Sequence, residues 1–212
     1  MTRTQYARSA DIHPQCHPRR RDEGGDAGHF ETQHPIGLDR ALTGARSDQR
    51  EIYRKIEAGP RGSVPSPFLA MLDAPLLADA IQQVGATIRF QGTLSDADRE
   101  LAILATAGIV GCGYEWNYHA PIAERAGLSA DAIAATRDGD FAIGLDVRTA
   151  SILRFCGSVA RERRVDPVAL AEVIALVGRD GATELIAICG YYALLASFII
   201  IGGHDQAFTR DR

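Results

Sequence analysis

The sequence predicts an all-α protein. Apolar segments of helical length are separated by glycine, proline and serine, and several begin at a residue that caps helices well. The alternation of apolar and polar residues that marks a half-buried strand is absent. With 212 residues, of which 46% are hydrophobic, the chain is long and apolar enough for one packed domain.

Each expected helix begins at a capping residue or near a proline or glycine, and most end close to a glycine. Ser95 followed by Asp98 resembles a capping box, and Asp166 followed by Pro167 is a cap with proline at the first helical position. The stretch GPRGSVPSP, residues 59–67, is expected to be a loop. The expected helices are 47–58, 75–90, 95–111, 113–127, 129–139, 146–163, 166–178 and an apolar terminal helix capped by Asp180.

The first 46 residues are predicted to be a disordered tail, because they hold only seven large apolar residues among glycines and three His-Pro dipeptides. Four histidines and Cys16 lie in this tail, but their spacing matches no structural zinc site, and we expect no metal. The domain is expected to span residues 47–204, and residues 205–212 to form a short C-terminal tail.

Charge and cysteine content restrict the partners and the compartment. The net charge of −4 provides no basic surface, so no nucleic-acid partner is expected. The four cysteines are far apart and form no CxxC pair, which favours a reducing compartment. Because no secretory or twin-arginine signal is readable either, we expect a cytoplasmic protein.

The terminal helix raises the question of a membrane. Residues 185–203 carry no charge, and a bilayer span needs roughly 20 apolar residues. A helix that is apolar all round is also typical of a protein core or a subunit interface. The glycines and central tyrosines of this segment favour burial, so no membrane contact is expected.

The candidate catalytic residues lie on two consecutive helices. Glu115 and His119 are four residues apart and share a helix face, and the same face extended backwards reaches Cys112. A carboxylate and an imidazole on a buried face can relay a proton. At a helix N-terminus, the helix dipole is expected to stabilise a Cys112 thiolate. Glu100 directly precedes the uncharged run 101–111 and is expected to lie against apolar surface.

Two aromatic residues of the same segment are candidates for contact with a substrate. Tyr114 and Trp116 flank Glu115 along the chain. Core packing is the alternative for both, as it is for Cys112 and His119 when each is taken alone.

This segment resembles the carboxymuconolactone decarboxylase family, which includes alkylhydroperoxidase D. The matching motifs are L-S-x-x-x-R-E-L-A-I-L from Leu94, Y-E-W-x-x-H from Tyr114 to His119, and A-G-L-S from Ala126, and they place the chain in a Y-E-W-x-x-H subgroup. The resemblance is strong over residues 67–140 and weaker as far as the G-Y-Y of 190–192. It implies an alkylhydroperoxidase D-like bundle of about seven helices, a homotrimer or homohexamer, and no cofactor.

The hydroperoxidase branch of the family has a glutamate, a CxxC twelve residues later, and a histidine four residues beyond the second cysteine. Glu100, Cys112 and His119 keep this register, but Glu115 stands in place of the second cysteine. The resemblance therefore implies no dithiol cycle here, whereas a Glu/His pair suits the acid/base chemistry of the decarboxylase branch.

Three functions remain open at this point. The first is a decarboxylase-like lyase that uses Glu/His acid/base chemistry on a small carboxylated or lactone substrate. The second is a peroxiredoxin-like alkyl hydroperoxide reductase that depends on Cys112, and the third is a non-enzymatic oligomeric binding protein of the same fold. A metal site from Cys112, Glu115 and His119 is a minor fourth hypothesis, and the resemblance implies none.

Overall fold

The computed structural model describes residues 36–138 and 144–208, and these form eight helices and no strand. The predicted all-α class is confirmed. The helices are α1 (Ser47–Glu57), α2 (Ser66–Met71), α3 (Pro75–Phe90), α4 (Asp96–Val110), α5 (Gly113–Arg125), α6 (Ala130–Asp138), α7 (Val147–Glu162) and α8 (Pro167–Ile201).

Three of the predicted helix starts have the expected side-chain caps. The Ser95 hydroxyl accepts a hydrogen bond from the Asp98 N–H at 3.1 Å. Asp146 accepts one from the Thr149 N–H at 3.0 Å, and Asp166 accepts one from the Val168 N–H at 2.8 Å. These caps satisfy backbone donors that the first helical turn leaves without partners.

Two predicted starts differ from the structure. Arg46, not Ser47, is the N-cap of α1, and its N–H donates to Gln49 Oε1 at 2.8 Å. The expected loop 59–67 ends early because α2 begins at Ser66. Prolines at 65 and 67 suit an N-cap and a first turn, where a missing N–H costs nothing.

The two helices expected after Asp166 are two arms of α8. Gly178 has φ 76° and ψ 172°, so the helix is interrupted at the glycine that was predicted to end it, and the chain then resumes the helix. Only glycine adopts such a conformation without strain.

The centre of the fold is α4, which packs against α5, α6, α7 and α8. Leu101, Ala102, Ile103 and Leu104 are all buried, so this helix is covered on every side. Helix α3 contacts α1 and α2, and α2 and α3 also pack on α8. A polar residue between positions 100 and 107 of α4 is therefore surrounded by protein whichever way it points.

The packed region begins before residue 47. The Leu38 N–H donates to the Leu69 carbonyl at 3.1 Å, and Leu38 and Leu42 pack against the core. Leu38 lies against α2, the start of which the sequence prediction treated as loop. The prediction of disorder for residues 1–35, and of no metal site among their histidines, lies outside the described residues.

Helix α8 is long and apolar enough to cross a membrane by length and composition alone. In the most apolar 18-residue stretch of α8, 44% of the residues are buried within the chain. The predicted burial of this helix is therefore only partial. One face packs on the core, whereas Ile186, Leu194, Ile200 and Ile201 remain exposed in a single copy.

Candidate functional site

The imidazole of His119 lies between two carboxyl groups. Its Nδ1 is 2.6 Å from Glu100 Oε2, and its Nε2 is 3.5 Å from Glu115 Oε2. All three residues are buried, with exposures of 2% for His119, 1% for Glu100 and 4% for Glu115. The structure thus brings together three of the four predicted catalytic residues, while their catalytic role stays a prediction.

Local helix geometry explains this arrangement. Glu115 and His119 share a face of α5, as their spacing predicted. The connection from α4 turns sharply at Gly111, which has φ 73°, so α5 lies directly against α4. Glu100, near the start of α4, therefore faces the middle of α5.

The two carboxyl groups differ in their roles. A carboxylate only accepts hydrogen bonds, so whenever Glu100 is ionised its contact with Nδ1 keeps a proton of His119 there and leaves Nε2 facing Glu115. Burial raises the pKa of Glu115, while the nearby charges of His119 and Arg89 oppose this shift. Glu115 consequently keeps its proton to a higher pH than an exposed glutamate does.

Cys112 differs from these residues in its surroundings. It is the N-cap of α5 with φ −95° and ψ 97°, so the helical spacing that was used to align it with Glu115 does not apply to it. Its side chain is fully buried in the main core, and Sγ lies 3.7 Å from Asp205 Oδ1. Burial, with the charges of Glu115 and Asp205, raises the pKa of the thiol to about 12. The prediction of a dipole-stabilised thiolate is wrong.

A pocket of about 360 Å³, counted out to its open mouth, lies beside Glu115 and His119. Four parts of the chain form its wall: the segment around α2 and the helices α3, α5 and α8. The other lining residues are Arg61, Pro65, Pro67, Phe68, Arg89, Tyr114, Tyr118, Tyr191, Tyr192 and Leu195. Tyr114 is thus on the wall, where a substrate-contacting residue is expected.

Trp116 lies elsewhere. Its Nε1 donates to Thr136 Oγ1 at 2.9 Å, its ring meets Phe208 edge-on at 5.9 Å, and it packs in a small cluster with Leu104 and Ala123. One residue beyond Glu115, its side chain leaves the helix in a different direction. The structure therefore places Trp116 in the core, which was the alternative to substrate contact.

Four residues of the pocket wall were missed as site residues. The Tyr192 ring meets the His119 ring edge-on at 5.3 Å, and Tyr191 and Tyr192 are in contact. The Arg61 guanidinium lies 5.1 Å from the centre of the Phe68 ring, and the Arg89 guanidinium lies 5.6 Å from the centre of the Phe90 ring. The tyrosine pair within an uncharged helix was the one visible signal, whereas nothing local marks the arginines.

Asp205 was also missed, because residues 205–212 were expected to be a free tail. Its Oδ1 accepts a hydrogen bond from the Tyr114 N–H at 3.0 Å, and the Ala207 carbonyl accepts one from Asn117 Nδ2 at 2.8 Å. A carboxylate at this position satisfies a free N–H of the first turn of α5 and complements the helix dipole. Residues 205–208 thereby hold the start of the helix that carries Glu115 and His119.

Metal binding finds no support at this site. Across residues 36–138 and 144–208, no group of three or more His, Cys, Asp or Glu side chains is arranged to hold a metal ion. Cys112 points towards Asp205, and His119 Nδ1 is already bonded to Glu100. The three residues of the metal hypothesis therefore do not converge on one point.

Comparison with known proteins agrees with the motifs. The sequence model of the carboxymuconolactone decarboxylase family matches residues 75–156, whereas no curated protein matches the chain. The matched segment runs from the start of α3 into α7 and contains Glu100, Cys112, Glu115 and His119. Assignment to a Y-E-W-x-x-H subgroup stays a prediction. Residues 75–156 of the protein thus match the carboxymuconolactone decarboxylase family, as the motifs predicted.

Proposed function

We propose that the protein is a decarboxylase-like lyase that uses Glu/His acid/base chemistry on a small carboxylated or lactone substrate. The match of residues 75–156 to the family supports a decarboxylase-like or alkylhydroperoxidase D-like function in general. The observation that carries the finer proposal is the position of His119, held between Glu100 and Glu115 beside an open pocket.

In this proposal, each residue of the cluster has one task. Glu100 holds the imidazole in the tautomer with Nδ1–H, and His119 Nε2 and Glu115 handle the proton of the substrate. When the substrate loses CO₂, the electron pair of the broken bond stays on carbon, and that carbon takes the proton delivered from the Glu115–His119 pair. The 3.5 Å separation of Nε2 and Glu115 Oε2 is at the long limit of a hydrogen bond, so a small movement completes the relay.

The environment of Cys112 disfavours the peroxiredoxin-like alternative. A peroxidatic cysteine reacts as a thiolate and needs access to its substrate. Cys112 is fully buried, its pKa is raised to about 12, and the residue at the place of a resolving cysteine is Glu115.

A panel of small carboxylated lactones and keto acids tests the proposal. Turnover is measured as release of CO₂ and, in D₂O, as incorporation of deuterium at the reacting carbon. An organic hydroperoxide, supplied with a thiol reductant, is tested as a further substrate. We expect turnover of at least one carboxylated compound. His119→Gln should remove most of it, a loss of ~10²–10⁴-fold, and Cys112→Ser should retain it.

Two outcomes would contradict the lyase proposal. Hydroperoxide consumption that Cys112→Ser abolishes would establish the peroxidase instead. Absence of any turnover that depends on His119 would favour a non-enzymatic binding protein of the same fold.

We also propose that the protein is a cytoplasmic homo-oligomer, a trimer or a hexamer, assembled through the exposed apolar face of α8. Leu194 and Ile200 line an open groove on this face together with the small residues Gly190, Ala193 and Ser197. Small residues allow a second helix to approach closely, and apolar surface of this kind typically marks an interface.

Light scattering tests this assembly. We expect a mass of three or six copies of the 22.8 kDa chain, and a substantial loss of assembly in Leu194→Glu. Leu76→Glu replaces a leucine of α3 that is 81% exposed and serves as the matched control. A wild-type monomer would contradict the proposal, and partition into detergent would show that this face of α8 meets lipid.

A further inference from the structure

Two positive charges on the pocket wall form no ion pair with a carboxylate of the part of the chain that the structure describes. Arg61, from the segment before α2, and Arg89, near the end of α3, both line the pocket. Among the described residues, no carboxylate oxygen lies within 4.0 Å of either guanidinium. Arg61 bonds only weakly within the chain, with Nη1 at 3.4 Å from the Gln82 carbonyl.

The two guanidinium groups are also close enough to disturb each other. Both stack near the Phe90 ring, at 6.0 Å for Arg61 and 5.6 Å for Arg89. Burial lowers the pKa of Arg61, Tyr191 opposes this shift, and the neighbouring charge of Arg89 adds to it. The pKa of Arg89 itself is raised, because Tyr192, a hydrogen bond to Tyr118 and the charge of Glu100 outweigh its burial. Two partly buried like charges repel each other, and an anion bound between them would relieve that repulsion.

A buried hydroxyl lies in the same part of the pocket. Tyr191 is 7% exposed and lines the pocket, yet its Oη has no hydrogen-bond partner among residues 36–138 and 144–208. A side chain at Gly85 would overlap this Oη and approach Arg61 Nη2 to 2.7 Å, so both groups reach the space that the glycine leaves open. A buried hydroxyl without a partner is costly unless a ligand supplies one.

We propose that Arg61, Arg89 and Tyr191 form an anion subsite that binds the carboxylate of a small planar organic acid and presents the body of that acid to Glu115 and His119. That the bound acid meets a catalytic pair rests on the proposed function. Binding of the acid to the subsite does not depend on that function. Arginine suits this task, because its planar fork matches the two oxygens of a carboxylate.

The rest of the pocket wall indicates the shape of the ligand. Phe68, Tyr118 and Tyr192 present aromatic rings, and Leu195 adds an aliphatic surface. Flat apolar faces of this kind favour a planar or aromatic body over a flexible polar one. Among the described residues, Glu115 is the one carboxyl group on the wall, and a Glu115 that holds its proton does not repel a bound anion.

Ligand-observed ¹⁹F NMR on the full chain tests the subsite with two probes of nearly equal shape. We expect 4-fluorobenzoate to bind saturably at millimolar concentration and the neutral 4-fluorobenzamide to bind far more weakly. Arg61→Gln and Arg89→Gln should each weaken the binding of 4-fluorobenzoate by ~10–100-fold, as expected for a charged hydrogen bond. Arg54→Gln removes the same charge from the exposed face of α1 and should leave binding unchanged.

Tyr191→Phe covers the case in which an arginine variant fails to fold. It should weaken the binding of 4-fluorobenzoate by ~2–10-fold without lowering the thermal midpoint, because the hydroxyl has no partner to lose. Equal binding of the amide and the acid, no binding of the acid, or an equal loss in Arg54→Gln would overturn the inference. Titrations repeated with His119→Gln separate the two proposals, because the subsite binds the acid even if the lyase proposal fails.

Discussion

The start of α5 has a pocket side and a core side, and both carry residues that could perform chemistry. Glu115 and His119 are on the pocket side, and Cys112 and Trp116 are on the core side. Their exposures are nearly the same, from 0% for Cys112 to 4% for Glu115. Burial therefore does not distinguish the functional residues from the structural ones in this helix.

The difference lies in what each polar group contacts. On the core side, Trp116 is bonded to Thr136, and the Cys112 thiol lies beside Asp205, so both are tied to structural partners. On the pocket side, Glu100 holds one nitrogen of His119, while the other nitrogen and Glu115 border open space. A reactive group needs such an open side, and it is tertiary packing that provides or removes it.

The largest effect should come from the pocket side. Glu115→Gln and His119→Gln should each lower kcat/KM for the compound that is turned over by ~10²–10⁴-fold, and the double variant should lose little more than the worse single one. Residues that act as one unit are not additive, so steady-state kinetics of the two single variants and the double variant measure their coupling. If the two losses multiply in the double variant, Glu115 and His119 act separately.

A core-side change should affect stability instead of turnover. Trp116→Phe removes the hydrogen bond from the indole to Thr136, so the buried Thr136 hydroxyl loses one of its partners. We expect this to lower the free energy of unfolding by ~1–3 kcal/mol. The thermal midpoint should fall by about 2–4 °C for each kcal/mol. Tyr114→Phe, on the pocket wall, is the matched control and should leave the midpoint unchanged. Lost turnover in a stable Trp116→Phe variant would show that the core side contributes to the site.

A smaller effect should appear in the pH dependence of stability. Burial raises the pKa of folded Glu115 above the ordinary value of 4.5, so above pH 4.5 the unfolded chain loses this proton before the folded protein does. Unfolding therefore becomes easier as the pH rises towards the folded pKa of Glu115. Glu115→Gln removes this contribution and should be the more stable form at neutral pH, with an advantage that vanishes below pH 4.5. Thermal unfolding across this range measures the difference, and a constant offset would contradict the expected shift.

The sequence predicted those features of the site that depend on spacing within one helix. Glu115 and His119 share a face because both lie inside α5, and the capping motif at Ser95 placed Glu100 near the start of α4. Cys112 was misplaced because the backbone of an N-cap residue is not helical. A spacing rule therefore holds only between the ends of a helix.

Features that depend on distant parts of the chain could not be predicted in the same way. Arg61 is in a stretch that reads as loop, and Tyr191 is in the middle of an apolar helix, so neither has a local pattern that points to Glu115. Helix α2 was missed because prolines at 65 and 67 resemble a loop, although both fit the start of a helix. Tertiary packing determines that Arg61 and Tyr191 line the pocket and that the segment after Pro65 is helical.

The contact between Asp205 and Tyr114 has a consequence for how the protein folds. It joins residues that are 91 positions apart, whereas the helices α4 and α5 adjoin each other along the chain. Contacts between distant residues must overcome the entropy of closing a long loop, so they tend to form after local ones. The α4–α5 pair can thus assemble early, while the first turn of α5 remains uncapped until residues 205–208 dock. The geometry around Glu115 is then among the last parts of the domain to become fixed.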